Sequence, residues 1–339
     1  MSKNTKDVVE DKDYSLERVP VTARKGFCPM FFIMLGFTFF SASMSVGAQL
    51  GIGLNLQGFI WAVLIGSIVL GAYTGVLGYI GSHTGMSLDL LAQHSFGKKG
   101  SYLPSALISF TQIGWFGVGA AMFAIPAAEV LHVSPVVLVV IAGACMTLSA
   151  YRGIEGLQIV SYISVPLIAV LGIYSMCLAI SQGGGLAAVF AKSQGTLTIA
   201  GGAGLVIGSF VSGGTATPNF TRYAKTNKIA IVTTVIAFFL GNALMFAFGA
   251  TGGAFTGKDD IFYVMIAQGL TVPALIALGA NIWTTNDNAL YTSGLGLSNI
   301  TKVRKKPMVV IAGIIGTVLS IWLYNNFVGW LNFLNAALP

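Results

Sequence analysis

Across 339 residues the chain is 55% hydrophobic and only 9% charged, with a mean hydropathy of +0.81. A soluble domain carries about 25% charged residues, so a water-soluble globular protein is excluded; the apolar runs of roughly 18–27 residues suit a bilayer core about 30 Å thick. The net charge of +7 would fit a nucleic-acid partner, but the placement of the charges removes that reading.

In chain order, residues 1–26 form a polar, basic tail without an apolar core or small-residue cleavage site, so no removable signal peptide is expected. Nine spans follow, near 27–47, 58–80, 102–128, 134–150, 157–180, 197–216, 229–251, 271–297 and 308–331. Of the 18 basic residues, only Lys192 and Lys258 lie in loops after odd-numbered spans. The other sixteen lie in the tail or after even-numbered spans, the asymmetry of a cytoplasmic N-terminus. The positive charge is a topology signal, and a multi-pass protein of the cytoplasmic membrane is expected, with the lipid bilayer as its surroundings and no nucleic acid as partner.

The first span carries "MLGFTFFSASMSVG" (34–47), rich in Gly, Ser and Thr, and reads as an interrupted helix. Unwound backbone is tolerated at membrane depth only where protein or a cavity satisfies it. The third span carries "TQIGWFGVG" (111–119), in which Gln112 and Trp115 share a helical face. Cys28, Cys145 and Cys177 are isolated within spans and read as inert thiols, while His83, His94 and His132 sit at loops or span ends without a metal spacing.

The sixth span, "GGAGLVIGSFVSGGTATP" (201–218), is a second interrupted candidate, with an aromatic–hydroxyl cluster of Ser209, Phe210 and Ser212 that matches "FFSAS" in the first. The two are five spans apart, the first and the sixth, so they run in opposite directions, the pattern of an inverted-repeat transporter with its site at the breaks. "GGAFTGKD" (252–259) has phosphate-loop spacing, but Asp259 replaces the magnesium-binding hydroxyl and the segment falls in a predicted outside loop. "NFT" at 219 and "NIT" at 299 match glycosylation sequons in loops predicted to be cytoplasmic and read as chance.

The eighth span holds "NIWTTNDNALYTSG" (281–294), centred near the midplane. At about 100° per residue, Asn281, Thr284, Thr285 and Asn288 share one face, while Asn286 and Asp287 point elsewhere. That face offers uncharged oxygens suited to a weakly held hard cation or a neutral polar solute; interhelical hydrogen bonding is the plainer alternative. Asp287 is the one charged residue deep in a span, either functional or satisfied by neighbouring donors. Trp115 and Phe210 suit a flat ring, and a primary amide such as Gln112 presents a donor beside an acceptor, as a nucleobase edge does. No nucleophile elbow, zinc-binding helix or paired carboxylates occur, so an enzyme is not expected.

"RKGFCPMFFIMLGFTFFSAS", "GYIGSHTG", "SFGKKGS", "QIGWFGVG", "GSFVSGGT", "FFLGNALMF" and "NIWTTNDNALYTSGLGLSNIT" closely resemble the purine–cytosine permease family of nucleobase:cation symporters, from about Val21 onward. The resemblance implies an all-α, LeuT-like fold of inverted five-helix repeats: residues 27–180 form the first, and residues 197–339 the second, incomplete where "NFLNAALP" reaches the threshold of a tenth span. It implies uptake of cytosine or a related ring by a monomer, driven by Na+ or alternatively H+. Carried onto matching positions, sodium would meet the backbone carbonyls of Gly36, Phe39, Asn281 and Thr284 and the Thr285 hydroxyl. The base would stack between Trp115 and Phe210, with Gln112, Ser209, Ser212 and Asn281 at its edge. Gly119 departs from the family, where many members have a glutamine. From another class, a passive channel would also place polar groups at the midplane, but it needs rings of like residues or a carbonyl filter.

Overall fold

The computed structural model describes residues 13–258 and 261–326. The start of the tail, with Lys3, Lys6 and Lys12, as well as Asp259 and the chain beyond Asn326, lies outside the described residues. The first expected span is two helices, α1 (Phe27–Thr38) and α2 (Ser41–Gly53), bent by 55° at the non-helical pair Phe39 and Phe40. Helix α3 (Leu56–Thr84) starts where the Asn55 side chain accepts the Gly58 N–H and stops at Gly85, whose φ of 68° favours a residue without a side chain. Helix α4 (Leu88–Gly100) caps one end of the bundle; α5 (Tyr102–Leu131), α6 (Pro135–Tyr151) and α7 (Ile154–Gln182) are the third to fifth spans, and α8 (Leu186–Phe190) is a short connector.

Helix α9 (Ile199–Thr215), capped by Thr198, breaks at the single residue Ala216 before α10 (Thr217–Thr221). The interruption falls inside the expected segment, at Ala216 just after Gly213 and Gly214, and Pro218 sits in the first turn of the new helix. The seventh span joins α11 (Asn227–Ile236) to α12 (Asn242–Thr256) through a π-helical turn at Ala237–Gly241. Then come α13 (Ile261–Ala267), α14 (Thr271–Thr301) and α15 (Lys305–Asn325).

Length and composition alone pick out five of these helices as membrane-spanning, or six with the bent pair α1–α2. Two more, α6 and α9, are apolar but shorter, and α14 is long but polar. Polarity is tolerable in α14 because the helix is central, packed between α5, α7, α15 and α6, so its side chains meet protein instead of lipid. Lipid-facing positions are elsewhere: Ile68, Val76, Val140, Val170, Val318 and Trp322 are exposed apolar residues on outer helices.

Helix α2 lies on α12 through two glycine pairs. Gly47 and Gly51 face the backbone of Phe246 and Ala250, while Gly249 and Gly253 face that of Met44 and Ala48. A methyl group at any of the four would collide with backbone atoms, so the helices approach as close as side-chain-free surfaces allow. Helix α3 packs on α9 as α12 packs on α2, and α5 lies against α14.

Three sequence expectations change here. "GGAFT" is the last turn of α12, closed by left-handed Gly257, and not a loop. Asn219 and Asn299, expected in loops, are buried in α10 and α14, where Asn299 donates to Ser101 and Ser105.

Candidate functional site

The break in α1 deprives the last carbonyls of that helix of their usual i+4 amides, and it does so beside α14. Thr285 Oγ1 lies 3.0 Å from the Phe39 carbonyl and 3.1 Å from that of Asn281. Gly36 lacks the side chain that would collide with Thr284 Oγ1 and Ser161 Oγ, and those two hydroxyls are 3.3 Å apart. Of the five expected ligands, the Phe39 and Asn281 carbonyls and the Thr285 hydroxyl meet between α1 and α14, with Gly36 packed against the Thr284 side chain, while the Thr284 carbonyl accepts from the Asn288 amide. Ser161, from α7, adds a hydroxyl that sequence reasoning missed; its signal was a serine in the middle of an apolar span. The set holds only uncharged oxygens, a donor class that suits a hard cation.

One turn away, a cavity opens between α1, α5, α9 and α14, lined by Phe37, Phe40, Gln112, Trp115, Ser209, Phe210, Ser212, Gly213, Thr285, Asn286 and Ala289. Five of the six expected substrate residues are here. Asn281 is not: it is buried, with its amide directed at Met245 Sδ, 3.9 Å away. Its carbonyl accepts from the Thr285 hydroxyl in the oxygen cluster instead. Asn286, expected to point elsewhere, is a wall of the cavity, and Asn288 turns back to the Thr284 carbonyl.

Phe40, also missed, stands edge-on to both expected stacking rings. Its centroid is 5.6 Å from Trp115 at 83° and 6.4 Å from Phe210 at 87°. Phe40 thus stands as a wall of the cavity beside both expected stacking rings. The slot is narrow, with about 20 Å³ of room, close to that for one water. A six-membered ring enters only as the walls part.

At the end of the bundle that carries the N-terminal segment, residues 13–25 fold back onto the helices. Asp13 forms a 2.9 Å ion pair with Lys305 and accepts the Ile154 N–H. Arg222, fully buried, donates to the carbonyls of Tyr14 and Asp13 and to the Tyr291 hydroxyl. Lys305 lies 4.3 Å over the Tyr291 ring. Two of the basic residues read as topology signals therefore tie the segment down. Nearby, burial pushes the Asp89 carboxyl up to about 6, opposed by the Ser105 hydroxyl that donates to it at 2.5 Å and by Arg222.

A helix broken beside a polar central helix, with an aromatic slot between them, defines an all-α, LeuT-like membrane protein. The chain superposes on Mhp1, a nucleobase-cation-symport-1 family transporter in a closed conformation with bromovinylhydantoin bound, with a TM-score of 0.80. That match covers 95% of this chain and 77% of that one at 17% identity. A Na+-coupled sialic acid symporter in a substrate-bound outward-open state matches with a TM-score of 0.71 at 16% identity, covering 89% and 75% of the two chains. Identities this low speak for the fold alone.

The chain belongs to the family of permeases for cytosine/purines, uracil, thiamine and allantoin, whose model matches residues 18–338. Cytosine permease of Escherichia coli strain K12 is 53% identical over 331 residues, 97% of this chain and 79% of that protein. Allantoin permease of Bacillus subtilis strain 168 is 22% identical over 271 residues, 72% of this chain and 51% of that protein. The protein is a permease, not an enzyme.

Proposed function

We propose that the protein imports cytosine across the cytoplasmic membrane by sodium-coupled alternating access, working as a monomer with its N-terminus in the cytoplasm. The observation that carries this reading is the position of Thr285. It lines the aromatic slot and also joins Phe39 to Asn281 in the oxygen cluster. A cation held by Gly36, Phe39, Asn281, Thr284 and Thr285 would therefore share a residue with a base stacked between Trp115 and Phe210. Binding of one then stabilises the geometry the other needs, which is what coupling requires. The name of the 53% identical relative supports cytosine among the family's substrates. The division into inverted repeats, residues 27–180 and 197–339, is supported by the packing. The contacts of α3 on α9 and of α12 on α2 exchange when spans one and two are swapped for spans six and seven.

A proton in place of sodium is the second reading. Its support is Asp287, a carboxyl group fully buried in α14 with no ion pair among the described residues. Uptake of radiolabelled cytosine into proteoliposomes, with sodium and proton gradients imposed separately, tests both. Accumulation is expected under a sodium gradient and should vanish when that gradient is dissipated. Accumulation under a proton gradient alone would favour the second reading, and flux without accumulation would mean a channel. In the same assay Trp115→Ala removes one wall of the stack. Stacking contributes about 1–3 kcal/mol per base, so the mutant's cytosine affinity should drop roughly 5- to 150-fold.

A further inference from the structure

The groups that touch the slot differ in whether their hydrogen-bonding polarity is free or fixed. Among the described residues no hydrogen bond holds the Gln112 side chain, so its amide can turn either its oxygen or its nitrogen to a ligand. The Ser209 hydroxyl donates to the Val206 carbonyl at 2.8 Å, whereas the Ser212 hydroxyl rotates to suit a donor or an acceptor. Groups of this kind strengthen binding of many rings and distinguish poorly between them.

Asn286 is different. It lines the slot, it is only 1% exposed, and its Nδ2 donates to the Phe116 carbonyl at 3.0 Å with Met146 Sδ 3.4 Å away. The Phe116 carbonyl can only accept, so the amide nitrogen must face it and the orientation cannot reverse without leaving two acceptors opposed. Asn286 Oδ1 takes no hydrogen bond from the protein, yet it is not sealed from the cavity as the unpartnered buried oxygens of Asn281 and Asn288 are. The opposite side of the amide is braced by Gly119, at which a methyl group would run into Oδ1. Glycine there is what leaves room for the amide.

We propose that Asn286, locked by Phe116 and seated against Gly119, is the residue that selects an amino-bearing ring over its carbonyl-bearing counterpart. This rests on the reading of the slot as a base site and deepens it. An acceptor of fixed polarity welcomes the exocyclic amino group of cytosine. The carbonyl at the same position of uracil would set two acceptors face to face in a narrow, buried slot. A site built around a fixed polar partner rejects the analogue lacking the complement more strongly than an apolar pocket does.

The test is equilibrium binding of cytosine and of uracil to purified, folded protein at fixed sodium, for the parent, Asn286→Ala, Gly119→Ala and the double variant, with thermal melts to verify folding. The parent should prefer cytosine. In Asn286→Ala the cytosine-to-uracil ratio should shrink roughly 10- to 100-fold, the cost of losing one buried polar complement. Gly119→Ala should shrink it in the same direction by displacing the amide, and the double variant should be no worse than Asn286→Ala alone, because the two act through one group. Gly119→Ala carries the test by itself if Asn286→Ala does not fold. An unchanged ratio in either folded single variant overturns the proposal, as does a ratio that collapses only in Gln112→Ala. A parent that binds neither base overturns the base-site reading together with this one, whereas a parent that binds both bases equally overturns this one alone.

Discussion

At the scale of single residues, Thr285 has the most to do. Its one hydroxyl lies within hydrogen-bond reach of two backbone carbonyls, Phe39 from the broken helix and Asn281 from its own. On the proposed reading a sodium ion takes the place of the hydroxyl proton as the link between them. Thr285→Ala removes that oxygen and should raise the sodium concentration for half-maximal uptake by roughly tenfold or more. Thr285→Ser should restore it. Linkage is reciprocal, so cytosine affinity at fixed sodium should weaken as well. Sodium titration of cytosine binding reads both, and an unmoved titration in folded Thr285→Ala would remove the residue from the cation site. The spacing of Asn281, Thr284 and Thr285 was legible because an ideal helix brings them to one face. Asn286 was not, because the face argument assumes that one side of a helix does the work. From Asn281 to Asn299 helix α14 has no exposed residue, so its neighbouring faces serve different partners at once. Asn281 was misassigned for a related reason: its carbonyl and its amide point into different sites.

At the scale of elements, the break in the first span was legible in its aromatic and hydroxyl residues, which hold a helix poorly. The sixth span broke inside its expected segment, at the end of the glycine run. Glycine tolerates the helix it sits in when neighbours pack against it, and Pro218 decides where a new turn begins. The close approach of α2 to α12 was invisible, since the four-residue spacing of glycines in each helix does not name its partner. That approach makes a sharp stability prediction. At Gly249 a methyl group would overlap the Met44 carbonyl, while at Gly204, in α9, it would meet open space. Gly204→Ala should leave the thermal midpoint unchanged or raise it slightly, since alanine favours a helix by about 1 kcal/mol over glycine. Gly249→Ala must push two backbones apart and should lower the midpoint clearly, on the order of the 1–3 kcal/mol typical of overpacking. Equal melting behaviour of the two variants in detergent would mean that the α2–α12 contact is not what holds this pair of spans.

At the scale of the whole molecule, the question is what keeps one end of the slot shut. The N-terminal segment crosses the ends of α7, α10, α14 and α15, and its bonds there are mostly buried: Asp13 to Lys305, Arg222 to two backbone carbonyls, Val19 to the Gly85 carbonyl. On the proposed orientation this is the cytoplasmic side, so release of cytosine inward requires the segment to lift. Breaking a buried ion pair by removing one partner leaves the other charge stranded and typically costs 3–5 kcal/mol, a cost that falls on the closed state and favours the open one. Lys305→Met should therefore populate the inward-open form. A reporter is available at Val19, 2% exposed, as Val19→Cys in a background with Cys28, Cys145 and Cys177 replaced by serine. Modification by a water-soluble maleimide should be slow with Lys305 present and at least tenfold faster with Lys305→Met, and saturating cytosine with sodium should slow it again if the loaded state is closed. Equal rates with and without Lys305 would show that the segment is held by its backbone contacts alone and that the ion pair does not govern opening.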